Sequence, residues 1–189
     1  HGVAMAQAPA LLAAGVKVVD FSADYRIRDV ALYEKVYKVE HTDRENLARA
    51  AFGLPELFRQ KIVGAALVAN PGCYPTAASL ALAPLLKERL IDPADIYINA
   101  VSGVSGAGRK AALAFHFPEM NDNLFGYAVG THRHMPEIEQ ILTQAAGQPV
   151  QVLFQPHVVS MDRGIAESIY CQPTGKITPA QLTDLYQAF

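Results

Sequence analysis

Two cysteines in 189 residues are too few for a disulfide framework, so nothing in the chain calls for an oxidising compartment. Basic charge is also scarce. Sixteen Lys and Arg against 18 Asp and Glu leave a net charge of −2, and no Lys/Arg cluster stands out. That balance excludes the basic field a nucleic-acid partner needs. No apolar run is long enough to span a membrane, and no signal peptide opens the chain, so the expected location is the cytoplasm. The G-x-G-x-x-G dinucleotide fingerprint is absent throughout, as are internal repeats, low-complexity tracts and obvious linkers. What is present is a globular composition, 51% hydrophobic and 18% charged, with enough chain for one good core or one core and part of another.

The chain opens at His1 and runs at once into a helical pattern over residues 3 to 14, stopped by Gly15. A continuous apolar stretch, Val16 to Asp20, then predicts a buried strand of the parallel type. A helix and a strand with no strand before them resemble the tail of a βαβ unit. The last residues, TPAQLTDLYQAF, end inside another helical pattern. We therefore expect a piece of a longer chain cut within an α/β domain, with one domain boundary between residues 20 and 30.

The stretch with most chemical content is ALVANPGCYPTAASLALAPLL, residues 66 to 86. A short apolar strand meets Asn70-Pro71-Gly72, which breaks regular structure, and an amphipathic helix follows from Tyr74. Cys73 sits at the handover, where unpaired amides and the helix dipole favour an anion, so its thiol is expected to ionise readily and act as a nucleophile. A small buried hydrophobe is the plainer role for a cysteine. Cys171, within the β-forming SIYCQ, is assigned that role.

Other stretches carry weaker signals. FSADYRIRD follows a strand's carboxyl end, where open α/β sheets keep ligand groups, but Asp24 and Arg26 equally suit a capped turn. ALYEKVYKVE and DRENLARAA read as short charged helices, with FGLPELF as a loop after them. SGVSGAGRK, residues 102 to 110, follows a strand with a glycine-rich turn whose amides suit an anion, beside Arg109 and Lys110; a helix is predicted after it. His132, Arg133 and His134 precede a helix begun by Pro136 and stopped by Gly147. A second pair of metal ligands is missing, so no metal is expected; one His could instead be the acid/base partner of a Cys nucleophile, and the Arg could hold an anion. His116 reads as a packing or surface residue. VQVLFQPHVVSM and RGIAESIYCQP predict a hairpin turning at Asp162-Arg163-Gly164, with His157 and Arg163 facing a pocket or marking an edge strand.

Taken together, NPGCYPT, SGVSGAGR, THRHMPEI and PHVVSMDRGI, with FSADYR and FGLPE, resemble the N-acetyl-gamma-glutamyl-phosphate reductases in order and spacing over essentially the whole chain. The resemblance implies an α/β fold with a mixed sheet, like the C-terminal catalytic domain of glyceraldehyde-3-phosphate dehydrogenase. Residues 1–25 would be the tail of an NADP-binding Rossmann domain, and residues 26–189 a catalytic and oligomerisation domain shortened at its C-terminus. It implies NADPH-dependent reduction of N-acetyl-L-glutamyl 5-phosphate to the semialdehyde with release of phosphate, through a Cys73 thioester, in arginine biosynthesis. His132, or alternatively His134, would be the acid/base. Ser105 and Gly106 would face the nicotinamide, and Arg109, Arg133 and Arg163 would bind substrate anions. A homodimer or homotetramer is implied, with no nucleic-acid or membrane partner. Sister reductases of aminoadipyl or aspartyl phosphate, a Cys-His hydrolase or acyltransferase, and a non-catalytic assembly module are the alternatives. Lacking the glycine fingerprint, the chain alone is expected to bind NADP poorly and to be nearly inactive.

Overall fold

A computed structural model describes residues 1–189, which divide into two compact units, His1–Thr76 with Phe189, and Ala77–Ala188. Helix α1 (Val3–Ala13) and strand β1 (Val18–Asp20) form where the apolar pattern places them. Helix α2 (Val30–Tyr37) starts at Asp29, whose carboxylate accepts the Leu32 amide at 3.0 Å, and α3 (Arg44–Arg49) follows. Strand β2 (Ala51–Phe52) leads into α4 (Pro55–Ile62), where a loop was expected. Pro55 opens that helix without wasting a donor. Glu56 in its first turn and Arg59 and Lys61 in its last complement the dipole. Strand β3 (Leu67–Ala69) lies between β1 and β2 and is parallel to both, with Val18 opposite Leu67 and Ala51 opposite Val68. The boundary between units therefore falls at Thr76, well past the expected 20–30, because β2 and β3 join the sheet that β1 begins.

Asp24 anchors the first unit. Its fully buried carboxylate accepts amides of Gly2, Ala4 and Met5 at the start of α1 and the Tyr33 hydroxyl at 2.8 Å. Burial pushes that carboxyl up, but these bonds outweigh it and hold it below the usual carboxylate range. Asp24 is thus a distant cap of α1 rather than a ligand group.

Helix α5 (Cys73–Lys87) begins in the first unit and runs into the second. There β4 (Ile91–Gly103) is the central partner in a four-stranded mixed sheet of order β5-β6-β4-β7, with β5 (Leu124–Gly126), β6 (Leu153–Val159) and β7 (Ile165–Pro173). β6 and β7 do not pair as a hairpin. β6 runs parallel to β4 and β7 antiparallel to it, each on its own side. The turn at 160–164 reverses the chain across the end of β4, so the two strands flank β4 instead of pairing with each other. The glycine-rich loop holds a 3-10 turn at Val104–Ala107, and the helix predicted after residue 110 is replaced by a 3-10 turn at Leu113–Phe115 and the one-turn α6 (Phe117–Met120). Helix α7 (Met135–Ala146) ends at Gly147 with φ 67°, and α8 (Pro179–Ala188) closes the chain.

Strand β4 alternates cleanly: Ile96, Ile98, Ala100 and Ser102 are buried, while Tyr97 and Asn99 are exposed. The buried stripe of α7 (Ile138, Ile141, Leu142) and that of α5 (Ala78, Leu82, Leu86) supply more of this unit's interior. The opposite sheet face leaves an apolar patch open at one end, beside the polar pairs Asn99–Gln155 and Asn99–Ser168. Tyr97 lies across from both Leu153 and Tyr170, all exposed. No helix is long and apolar enough to cross a membrane.

Candidate active site

In the first unit the candidate nucleophile is set by a short turn. β3 ends at Ala69, and the Asn70 amide donates to the Asp20 carbonyl at 2.8 Å, keeping the chain in register with β1 for one more residue. Pro71 and Gly72 then reverse it, and Cys73 is the first residue of a 15-residue helix. The Gly72 carbonyl accepts both the amide and the hydroxyl of Thr76, at 3.0 and 2.9 Å, closing the first helical turn around Cys73. Cys73 is exposed, whereas Cys171 is half-buried on β7. Burial, with the charge of Asp95, pushes the Cys171 thiol up, which suits its assignment to packing.

Two residues outside the motif brace this turn. The Arg26 guanidinium, nearly buried, donates from Nε to the Asn70 carbonyl at 2.7 Å and from Nη2 to the Phe21 carbonyl at 2.8 Å. Gly53 donates its amide to the Ala69 carbonyl at 2.8 Å, and a side chain there would meet that carbonyl at 3.1 Å and the Asn70 Cα at 3.2 Å. FSADYR and FGLPE thus converge on the strand end that precedes Cys73. Reading Arg26 as a ligand group or a turn residue missed this brace, although an Arg beside a strand's carboxyl end is the available signal. A cleft of about 470 Å³ runs along α4 from Pro55 to Lys61, but no candidate residue lines it.

In the second unit two groupings emerge. The first is the glycine loop after β4. Ser105 and Gly106 stand exposed on the 3-10 turn Val104–Ala107, and Arg109 lies just beyond Gly108 on an exposed stretch. Backbone bonds tie this loop to the turn that carries Arg163, also exposed, and a cleft of about 170 Å³ includes Gly103 and Arg163 in its wall. Ser105 offers an exposed hydroxyl able to bond the carboxamide of a nicotinamide, while the side of Gly106 where a Cβ would stand is closed by the buried Ser102 hydroxyl at 2.7 Å.

The second grouping stands at the start of α7. His132 is only 8% exposed, with its ring edge-on to those of Phe154, Tyr127 and His134. The His134 amide donates to His132 Nδ1 at 3.1 Å, so the neutral ring carries its proton on Nε2. Burial, helped by the adjacent Arg133 charge, pushes this imidazole down to about 4, leaving it uncharged at neutral pH. His134 is half-buried and Arg133 exposed. No group of three or more His, Cys, Asp or Glu is placed to hold a metal ion.

His157 proves to be on the interior strand β6, not an edge, with Nδ1 at 3.2 Å from the Ala100 carbonyl. His116 is exposed at the start of α6. Glu167 was passed over in the sequence. Its carboxyl oxygens are buried without a hydrogen-bond partner, and burial pushes the group up to about 8. Its signal was its parity with Ile165, Ile169 and Cys171 on an otherwise apolar stripe.

Comparison with known proteins matches this architecture. Residues 1–65 fit the family model of the semialdehyde dehydrogenase NAD binding domain, and residues 73–189 that of the semialdehyde dehydrogenase dimerisation domain. N-acetyl-gamma-glutamyl-phosphate reductase of Symbiobacterium thermophilum is 51% identical over the full chain and that of Geobacter metallireducens 52%. The chain spans about half the length of these curated relatives, 55% of each. Aspartate semialdehyde dehydrogenase II from Vibrio cholerae superposes with a TM-score of 0.70 at 17% identity, covering 98% of this chain and 57% of that one. Aspartate semialdehyde dehydrogenase with NADP from Candida albicans gives 0.61 at 16% identity, covering 98% and 51%. With both of its units accounted for by family models, the chain belongs to the semialdehyde dehydrogenases, among the relatives of the N-acetyl-gamma-glutamyl-phosphate reductases.

Proposed function

We propose that this chain carries the catalytic part of an N-acetyl-gamma-glutamyl-phosphate reductase. The observation that supports it best is the exposed Cys73 at the head of a long helix, after a turn braced by Arg26 and Gly53. The substrate is N-acetyl-L-glutamyl 5-phosphate, and the product is the 5-semialdehyde with inorganic phosphate, a step of arginine biosynthesis. Cys73 Sγ attacks the acyl carbon, the C–O bond to phosphate breaks, and a thioester remains. Ser105 and Gly106 would hold the nicotinamide of NADPH, which when bound would supply the hydride for that carbon. His132 or His134 then manages the proton as the C–S bond breaks and the aldehyde leaves. With Nδ1 engaged and the ring neutral, His132 works through Nε2, as a hydrogen-bond donor to the developing oxyanion. Arg109, Arg133 and Arg163 bind the phosphate and carboxylate.

The identity of the curated relatives favours this substrate over aminoadipyl or aspartyl phosphate. The exposed apolar face around Tyr97, Leu153 and Tyr170, in a region matched to a dimerisation domain, supports a homodimer or homotetramer. A reactive thiol is suited to the reducing cytoplasm. The chain alone, with no glycine fingerprint for the pyrophosphate, binds NADP weakly and turns over very slowly. The test is Cys73→Ser in the whole protein: NADPH oxidation dependent on the acyl phosphate is lost, and retention of full turnover would overturn the reading.

A further inference from the structure

Strand β4 ends at a junction whose packing leaves no room for a side chain. The β4–β7 ladder closes with Ser102 opposite Ile165, and the β4–β6 ladder with Gly103 opposite Val159. From there three successive amides cross to the turn that follows β6. Gly103 donates to the Gly164 carbonyl at 2.9 Å, Val104 to Met161 at 2.8 Å and Ser105 to Asp162 at 3.1 Å. The turn lies directly on Gly103, where an added Cβ would sit 2.7 Å from the Arg163 nitrogen, 2.8 Å from its Cα and 2.9 Å from its carbonyl carbon. All of these are backbone atoms and cannot swing away. The backbone at Gly103, φ −64° and ψ 159°, is open to any residue. Glycine is required there by the close approach and not by its dihedral freedom. The loop is pinned from behind as well, since the buried Ser102 hydroxyl donates to the Gly103 carbonyl at 2.9 Å and stands 2.7 Å from where a Gly106 Cβ would be.

We propose that Gly103 is a positioning residue that locks the Arg163 turn and the Ser105 loop into one rigid body. The inference rests on the proposed reductase reading, in which Arg163 meets the substrate anion and Ser105 the nicotinamide. The lock sets the place of one ligand against the other. A shift of the junction misplaces both partners together, and misplacement of about 1 Å at such sites costs up to about a hundredfold in rate.

The test uses the whole protein. Gly103→Ala raises KM for the acyl phosphate and KM for NADPH together, each by about tenfold, as the turn is pushed off the loop. Arg163→Ala raises only the first and Ser105→Ala only the second. Gly164→Ala disturbs the same turn by backbone strain rather than by contact. Its φ of 107° strains any side chain, while nothing lies within 4 Å of its Cβ position, and it keeps the test open if Gly103→Ala does not fold. A paired rise in both KM values supports the lock. Unchanged KM values, or a rise in only one, overturn it. Hydrogen exchange on the wild-type chain gives a readout independent of activity: the amides of residues 103–105 are protected, and exchange as fast as at the exposed residues 109–112 overturns the lock. A wild-type protein with no reductase activity would refute the proposed function, while the exchange measurement would still decide the junction.

Discussion

Arg26 offers a quantitative test of how the nucleophile is held. Its guanidinium makes charge-assisted bonds of 2.7 and 2.8 Å to the Asn70 and Phe21 carbonyls while nearly buried. Bonds to a charged group contribute about 1.5–3 kcal/mol each, so Arg26→Ala costs about 3 kcal/mol at the lower bound and leaves two carbonyls without this donor. Against a domain stability of about 5–15 kcal/mol that loss is large. Arg26→Lys keeps a charge and can reach one carbonyl, so it costs about half as much and stays folded. The turn Asn70-Pro71-Gly72 then loses one of its braces, and Cys73 no longer holds its place at the helix start. Urea denaturation measures the first effect, and the rate of Cys73 alkylation by iodoacetamide measures the second, with Cys171 as internal reference. We expect the Cys73 rate to fall about threefold in Arg26→Lys, equivalent to about 0.7 kcal/mol, with Cys171 unaffected. Wild-type stability and wild-type alkylation in both variants would refute the argument. No substrate is present in either assay, so loss of ligand binding cannot imitate the result.

Two further outcomes follow from the second unit. Glu167 titrates near 8 in the folded chain against an ordinary 4.5, so between these values the unfolded state gives up a proton that the folded state keeps. Stability attributable to this group therefore falls as pH rises through that window and levels off above it. Glu167→Gln removes the dependence, and urea midpoints at pH 5 and pH 8 check it: the variant gains on wild type at pH 8, and an equal difference at both pH values contradicts the assignment. Tyr170→Glu places a charge on the open apolar patch of the sheet, which halves the mass seen by sedimentation if that patch pairs two copies; an unchanged mass rules the patch out.

How much of this was legible in the sequence depended on whether the signal was local. The Cys73 helix and α7 were readable because periodicity and a Pro near the start, with a glycine stop after α7, are properties of adjacent residues. α4 was hidden because Pro-Gly composition reads as loop, although Pro55 at a helix start is favourable. The β6–β7 hairpin was misread because alternation reports a strand but not its partner. Only the register shows that β4 runs between them, parallel to one and antiparallel to the other. The same limit applied to the site. NPGCYPT announced the nucleophile, but the brace from Arg26 spans 44 positions and the lock at Gly103 is a contact with residues about sixty positions away. The burial that keeps His132 neutral and Glu167 protonated comes from neighbours that no motif records.

The central claim is that Cys73 carries the acyl group. The most direct measurement is mass spectrometry of the whole protein, quenched in acid after mixing with N-acetyl-glutamyl phosphate in the absence of a nicotinamide cofactor. The account predicts an acyl adduct on the peptide bearing Cys73, lost on adding NADPH and absent from Cys73→Ser. An unmodified Cys73, or an adduct on another residue, would contradict it.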